Sequence, residues 1–137
     1  MSIVFRYKQI SRPGLPPRFC PSISVTFAGK QPIKAIALLD SGADYCAMPH
    51  AIAESLGMDI SGKRETIRGI GGKIEAVESK TAITVEKGHE RYTIDAAFKV
   101  VFGLEDDFPI LLGRKDFFES FRITFDEKER KVTLKKN

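Results

Sequence analysis

Hydrophobic residues fall along this chain in short alternating or continuous runs, the pattern of strands, with little of the three-to-four spacing of helices. ISVTFAG, Ile23 to Gly29, alternates apolar and polar positions, and Gly29-Lys30-Gln31 offers a turn into the next run. Together they predict a hairpin. Its second arm, IKAIALL from Ile33 to Leu39, is apolar at every position from Ala35 onward, which predicts a strand covered on both faces.

RGIGGKIEAV, Arg68 to Val77, places Ile70, Gly71 and Gly72 between ETIR and the β-branched run KIEAVESKTAITVE. This predicts the tip of a second hairpin. YTIDAAFKVVF, Tyr92 to Phe102, predicts another strand, and PILLGRKDFF, Pro109 to Phe118, a buried strand breaking at Gly113 into a short helical turn. RITFDEKERKVTLK closes the chain as a hairpin turning through Asp126 to Lys131. Pro49 followed by HAIAESLG predicts a helix with proline in its first turn, Gly57 as terminator, and Ile52 and Leu56 on one face. Ile3 to Ile10 alternates weakly as an opening strand. SRPGLPPRFCP, residues 11–21, holds four of the seven prolines, so an extended arm with little regular structure is expected, either crossing the surface or embracing a partner subunit. Residues 1–21 thus form an N-terminal strand and arm, and 22–137 the main domain. Strands dominate, and the architecture is mainly β, a small closed or sandwiched barrel with two short helices.

One carboxylate stands out against this pattern. Asp40 follows the apolar strand directly, in the run ALLDSGADYCAMP. Burying the strand aims Asp40 at the interior, Gly42 permits backbone angles and close approach denied to other residues, and Ser41 supplies a hydroxyl that can donate and accept. Asp-Ser-Gly alone is ordinary turn chemistry. The other candidates have plainer readings. Glu105, Asp106 and Asp107 are adjacent carboxylates in a loop, which usually stay in water. Cys46 and His50 are four apart, but a loop position before Pro49 is unsuited to a helical pair and no second pair completes a tetrahedral zinc site, so no metal and no cofactor is expected.

At 137 residues the chain is long enough for one core without disulfide or metal support. The net charge of +4, from 22 basic and 18 acidic residues, is mild. The basic tail alternates with Val132 and Leu134 as a half-solvated strand would, and no aromatic-rich basic groove accompanies it, so nucleic acid is not an expected partner. Two cysteines are too few for a disulfide framework, and no run reaches the ~18 apolar residues of a membrane span. A soluble protein of the reducing cytoplasm is expected, with no membrane partner.

LLDSGAD, GIGG and ILLGRKDFF occur in that order, and the combination resembles the retropepsin-like aspartic proteases over about residues 22–135. The resemblance implies that Asp40 is the catalytic carboxylate in an active-site loop of Ser41, Gly42, Ala43 and Asp44. It implies that Gly69, Ile70, Gly71 and Gly72 form a flap over an extended peptide, and that the strand and helix of ILLGRKDFF close the core. Ser41 would then hydrogen-bond across a dimer and Gly42 offer its carbonyl to the substrate backbone, while Asp44 would line the cleft and pair with Arg114 as structural support. Leu38, Ile70, Ile74 and Ile110 would meet substrate side chains. Tyr45-Cys46, the proline arm and the long C-terminal hairpin depart from a minimal viral enzyme, which favours a cellular member.

Hydrolysing a peptide without a metal or a protein nucleophile needs one group to deprotonate water and another to protonate the departing nitrogen. Two carboxylates about 3 Å apart share one proton and can do both, as in aspartic protease dyads. The chain contains one Asp-Ser-Gly and no Asp-Thr-Gly. Two copies related by a two-fold axis would each supply Asp40, so the expectation is an aspartic endopeptidase whose homodimer forms one active site. The competing expectation keeps the fold without the chemistry, as a catalytically silent peptide-binding or dimerisation module. A pure binding module has no need of a carboxylate that is costly to desolvate.

Overall fold

The hairpin expected from ISVTFAG and IKAIALL forms between β4 (Ser22–Phe27) and β5 (Ile33–Leu39), antiparallel from Ser22 opposite Leu38 to Phe27 opposite Ile33. It is seen in a computed structural model that describes residues 2–12, 14–69, 72–103 and 108–137. Upstream lie β1 (Ser2–Arg6), β2 (Lys8–Arg12) and β3 (Leu15–Cys20). Downstream follow β6 (Cys46–Pro49), helix α1 (His50–Leu56), β7 (Arg64–Gly69), β8 (Gly72–Lys87), β9 (Glu90–Val101) and β10 (Ile110–Leu112). An irregular helical turn, Arg114–Phe118, leads to β11 (Phe121–Asp126) and β12 (Lys131–Lys136).

The main sheet runs β4-β5-β10-β6-β9-β8-β7, and β4 pairs again with β8 through Thr26–Thr84 and Phe27–Ile83. Six strands therefore close into a barrel, with β7 hanging from β8 as a hairpin. Closure removes the exposed edges an open sheet would carry. Inward positions alternate along each strand: Ile23, Val25 and Phe27 on β4, Ile83 and Val85 on β8, Phe98 and Val100 on β9, all buried. Phe27 and Phe98 meet edge-on at 5.7 Å, a geometry worth about 1 kcal/mol beyond its burial. The mainly-β barrel with two short helices agrees with the expectation from the sequence.

Helix α1 starts after Pro49 and stops at Gly57, whose φ of 72° is the left-handed C-cap that glycine adopts freely. The C-terminal hairpin also forms, and β1 joins it in a three-stranded sheet β1-β12-β11. Ile3, Phe5, Val132 and Leu134 turn their side chains to the core. Both ends of the chain thus pair with each other.

Three local expectations are corrected. β5 is fully covered on one face only, since Ala37 and Leu39 are buried while Ile36, on the opposite face, is 52% exposed and Leu38 half-exposed. The segment 11–21 is more regular than its prolines suggested. Residues Leu15–Cys20 form β3, paired antiparallel with β2 and kinked by a register shift where Pro16 and Pro17 fall. Prolines lack the N–H of a ladder and are tolerated in such edge and bulge positions. The opening strand, finally, is divided at Tyr7 into β1 and β2. Glu105, Asp106 and Asp107 lie outside the described residues.

Candidate active site

Asp40 stands where three strands converge. Its N–H donates to the Leu112 carbonyl at 3.0 Å, fixing it to the end of β10, and the preceding N–H of Leu39 donates to the Pro21 carbonyl at 2.8 Å, beside the start of β4. The chain then doubles back, with the Ala43 N–H reaching the Asp40 carbonyl at 3.1 Å. The carboxylate is held from within its own loop, Oδ1 accepting the Gly42 N–H at 2.9 Å. A Cβ at position 42 would sit 3.3 Å from that oxygen, so glycine leaves the bond undisturbed. Asp40 is half-buried instead of pointing into the interior, and Ser41 and Gly42 are exposed. The barrel presents this loop outward.

A second turn locks the loop from below. The Arg114 N–H donates to the Ala43 carbonyl at 2.8 Å, and the Lys115 N–H to the Asp44 carbonyl at 2.9 Å. Gly113 makes this approach possible: a Cβ there would lie 2.8 Å from the Ala43 carbonyl oxygen and collide with the Tyr45 carbonyl. Its glycine is required for space, since its φ of −104° is open to any residue. The Arg114 guanidinium pairs with the Asp44 carboxylate, the pairing expected from the sequence, and both side chains are more than half exposed. Cys46 completes the lock. Its buried Sγ accepts the Gly113 N–H at 3.4 Å and donates to the Lys115 carbonyl at 3.8 Å. Burial, reinforced by the Asp116 charge, pushes this thiol up to about 11 despite the N–H it accepts. Cys46 is therefore a neutral packing group, and among the described residues no three His, Cys, Asp or Glu side chains converge as a metal site.

Strand parity builds the floor beside Asp40. β10 lies parallel to β5 with Leu111 opposite Leu38, and antiparallel to β6 with Leu111 opposite Ala47. Ile110 and Leu112 are buried while Leu38, Leu111 and Ala47 are half-exposed. The expected contact residue Ile110 thus belongs to the core, and Leu111, its neighbour of opposite parity, takes the open face with Leu38 and Asp40. Only the register across β10 reveals this, because ILL is apolar at each position.

Next in the row stands Lys99, opposite Ala47 on β9. Its ammonium lies 2.6 Å from Glu65 on β7 and 3.5 Å from Glu78 on β8. Burial alone would lower its pKa, but the two carboxylates outweigh this and raise it. The ammonium also sits 4.5 Å from the Tyr45 ring centroid. Beyond it, Arg64 pairs with Glu75 and covers the Phe102 ring at 4.0 Å, and His50 stacks on that ring at 5.4 Å. These contacts root the β7–β8 hairpin on the barrel. The hairpin keeps its register to Gly69 opposite Gly72, while Ile70 and Gly71 lie outside the described residues. Ile74 is half-exposed on β8. Tyr45, Lys99 and Leu111 were not singled out as lining residues from the sequence, since each depends on which strand lies beside which.

A sequence profile of the aspartyl protease family matches residues 23–115, a span from β4 to the locking turn. A retropepsin-like aspartic protease from Rickettsia conorii superposes with a TM-score of 0.61 at 19% identity, covering 98% of this chain and 90% of that one. The EIAV protease complexed with the inhibitor HBY-793 gives a TM-score of 0.41 at 22% identity over 77% of this chain and 88% of that one. No curated protein matches the sequence significantly. With a profile match over more than half its length, and a retropepsin-like fold, this chain belongs to the aspartyl protease family.

Proposed function

We propose that the protein is an aspartic endopeptidase that hydrolyses peptide bonds in extended peptides, with a water activated by two Asp40 carboxylates from two copies of the chain. The observation that carries this reading is the outward-facing Asp40, pinned by Gly42 and Leu112 at the rim of an apolar strip of Leu38, Leu111 and Ala47. One carboxylate on an open face is half of a proton-sharing dyad. A two-fold axis beside the loop supplies the other half.

In the dimer one Asp40 is ionised and takes a proton from water as it adds to the scissile carbonyl. The other, protonated, gives its proton to the departing nitrogen. The pair titrates as a unit, so the pH profile is bell-shaped with its optimum on the acid side of neutrality. Ser41 bonds across the axis and steadies the two loops, and the Gly42 carbonyl faces the substrate backbone. Gly69 to Gly72 form the flap that closes over the peptide and excludes water. Arg114 and Asp44 support the loop, and the strip beside Asp40 gives an apolar preference at the scissile bond. No helix among the described residues is long and apolar enough to cross a membrane, and the two free cysteines fit the reducing cytoplasm.

Wild type and Asp40→Asn are compared in a peptide-library cleavage assay between about pH 4 and 7, the range in which such a dyad works. Wild type is expected to cut and the variant to be silent. Equal cutting by both would show that Asp40 is not the catalytic group, and a dimeric wild type that cuts nothing leaves the fold as a peptide-binding or dimerisation module.

A further inference from the structure

Asp116 holds a backbone conformation that its side chain makes costly. Within the turn Arg114–Phe118, Lys115 is extended and Asp116 has φ 70° and ψ −54°. These angles fall in the tight γ-turn region, rare and strained for a residue with a Cβ, whereas glycine would adopt them freely. A strained position persists where its surroundings over-determine it, and such positions gather at functional sites. Here both backbone groups are claimed. The Asp116 N–H donates to Glu119 Oε1 at 2.7 Å, and the Asp116 carbonyl accepts the Ser120 hydroxyl.

Among the described residues the side chain has one hydrogen-bond partner, the Ala97 N–H on β9, which Asp116 Oδ2 accepts at 2.7 Å. Strand register explains this bond. β9 lies between β6 and β8, and β6 starts opposite Phe98, so at Ala97 the ladder on that side has run out of strand. Ala97 is buried, and a buried N–H without an acceptor is costly. The carboxylate stands in for the missing strand.

Asp116 thereby ties β9 to the turn that holds the Asp40 loop. One residue earlier, the Lys115 N–H donates to the Asp44 carbonyl and the Lys115 carbonyl accepts the Cys46 thiol. Two residues earlier, the Arg114 N–H donates to the Ala43 carbonyl, and the Ala43 N–H donates in turn to the Asp40 carbonyl. Beyond the Asp116 side chain, the path from Ala97 to Asp40 is main chain throughout, with no side-chain rotor to absorb a shift. The parallel link through Arg114 and Asp44 is an exposed ion pair, a weak tether in water.

On the reading that Asp40 is the catalytic carboxylate, we propose that Asp116 is a positioning residue for it. Its strained backbone aims the Arg114 and Lys115 N–H groups at the loop, and its bond to Ala97 fixes that turn against the barrel wall. Glycine at this position would remove the strain and leave the turn unanchored, so the aspartate serves placement more than stability. Placement matters because two carboxylates must share one proton, and an error of about 1 Å can cost on the order of a hundredfold in rate.

Asp116→Gly and Asp116→Asn separate placement from stability, with urea midpoints for the fold, sedimentation equilibrium for the dimer and steady-state cleavage of a peptide that wild type cuts. Asp116→Gly relieves the strain while losing the bond, so its midpoint should stay close to that of wild type. Its kcat should fall about tenfold or more with KM within about twofold, the mark of an interaction realised in the transition state. Asparagine offers the same acceptor oxygen and tolerates positive φ better than most residues, so Asp116→Asn should keep kcat within about twofold of wild type. A folded, dimeric Asp116→Gly with wild-type kcat overturns the positioning role and leaves the Asp40 dyad standing. So does an Asp116→Asn variant as slow as Asp116→Gly. Loss of the fold or of the dimer in Asp116→Gly places the residue in general stability and overturns the role as well. A dimeric wild type that cuts no peptide overturns the dyad and the role together.

Discussion

Gly113 and Cys46 show how much of the candidate site rests on residues that do no chemistry. Gly113 has an ordinary backbone conformation, and its side of the loop is filled by the carbonyls of Ala43 and Tyr45. Gly113→Ala is expected to destabilise the fold by about 1–3 kcal/mol through overpacking, read as a lowered urea midpoint. An unchanged midpoint would mean that the loop yields without cost. Cys46 makes a prediction in pH. Its thiol rises from 9.0 to about 11 in the fold, so the folded chain holds the proton more tightly than the unfolded one. The resulting stability is complete below pH 9 and is lost as pH climbs through about 11, on the order of 2–3 kcal/mol in all. Subtracting the stability curve of Cys46→Ser isolates this loss from the lysines and tyrosines that titrate nearby. Parallel curves from pH 8 to 11 would contradict the account. The sequence showed that a cysteine follows the loop, but gave no sign that its sulfur bridges to a turn 67 residues away.

The elements were legible wherever local pattern decided them. The β4–β5 hairpin, helix α1, the break at Gly113 and the C-terminal hairpin all carry turn or cap residues at their ends, and each formed as expected. Non-local pairing was hidden. Nothing in ILL distinguishes Ile110 from Leu111 until β10 is set between β5 and β6, and nothing in RETIRG announces that Glu65 meets Lys99. That ion pair ties β7 to the barrel wall at the base of the Gly69–Gly72 hairpin. Lys99→Met removes the ammonium from between Glu65 and Glu78, and backbone amides of β7 are expected to exchange with solvent roughly fivefold faster, the effect of about 1 kcal/mol. Exchange that rises equally across the barrel, or nowhere, would mean that Lys99 serves general stability and does not anchor this hairpin.

At the scale of the whole molecule, the barrel turns one carboxylate outward beside an apolar strip, and the proposed chemistry needs a second. Among the described residues the nearest other acid of the loop, Asp44, is engaged by Arg114. The composition made the same point, with a single Asp-Ser-Gly in 137 residues. The central claim is that each active site takes one Asp40 from each of two chains. Wild type and Asp40→Asn, refolded together at fixed total concentration, provide the most direct measurement. If two copies share one site, cleavage falls as the square of the wild-type fraction, to about a quarter at equal mixing. A linear fall, to about half, would show that one chain suffices and contradict the account.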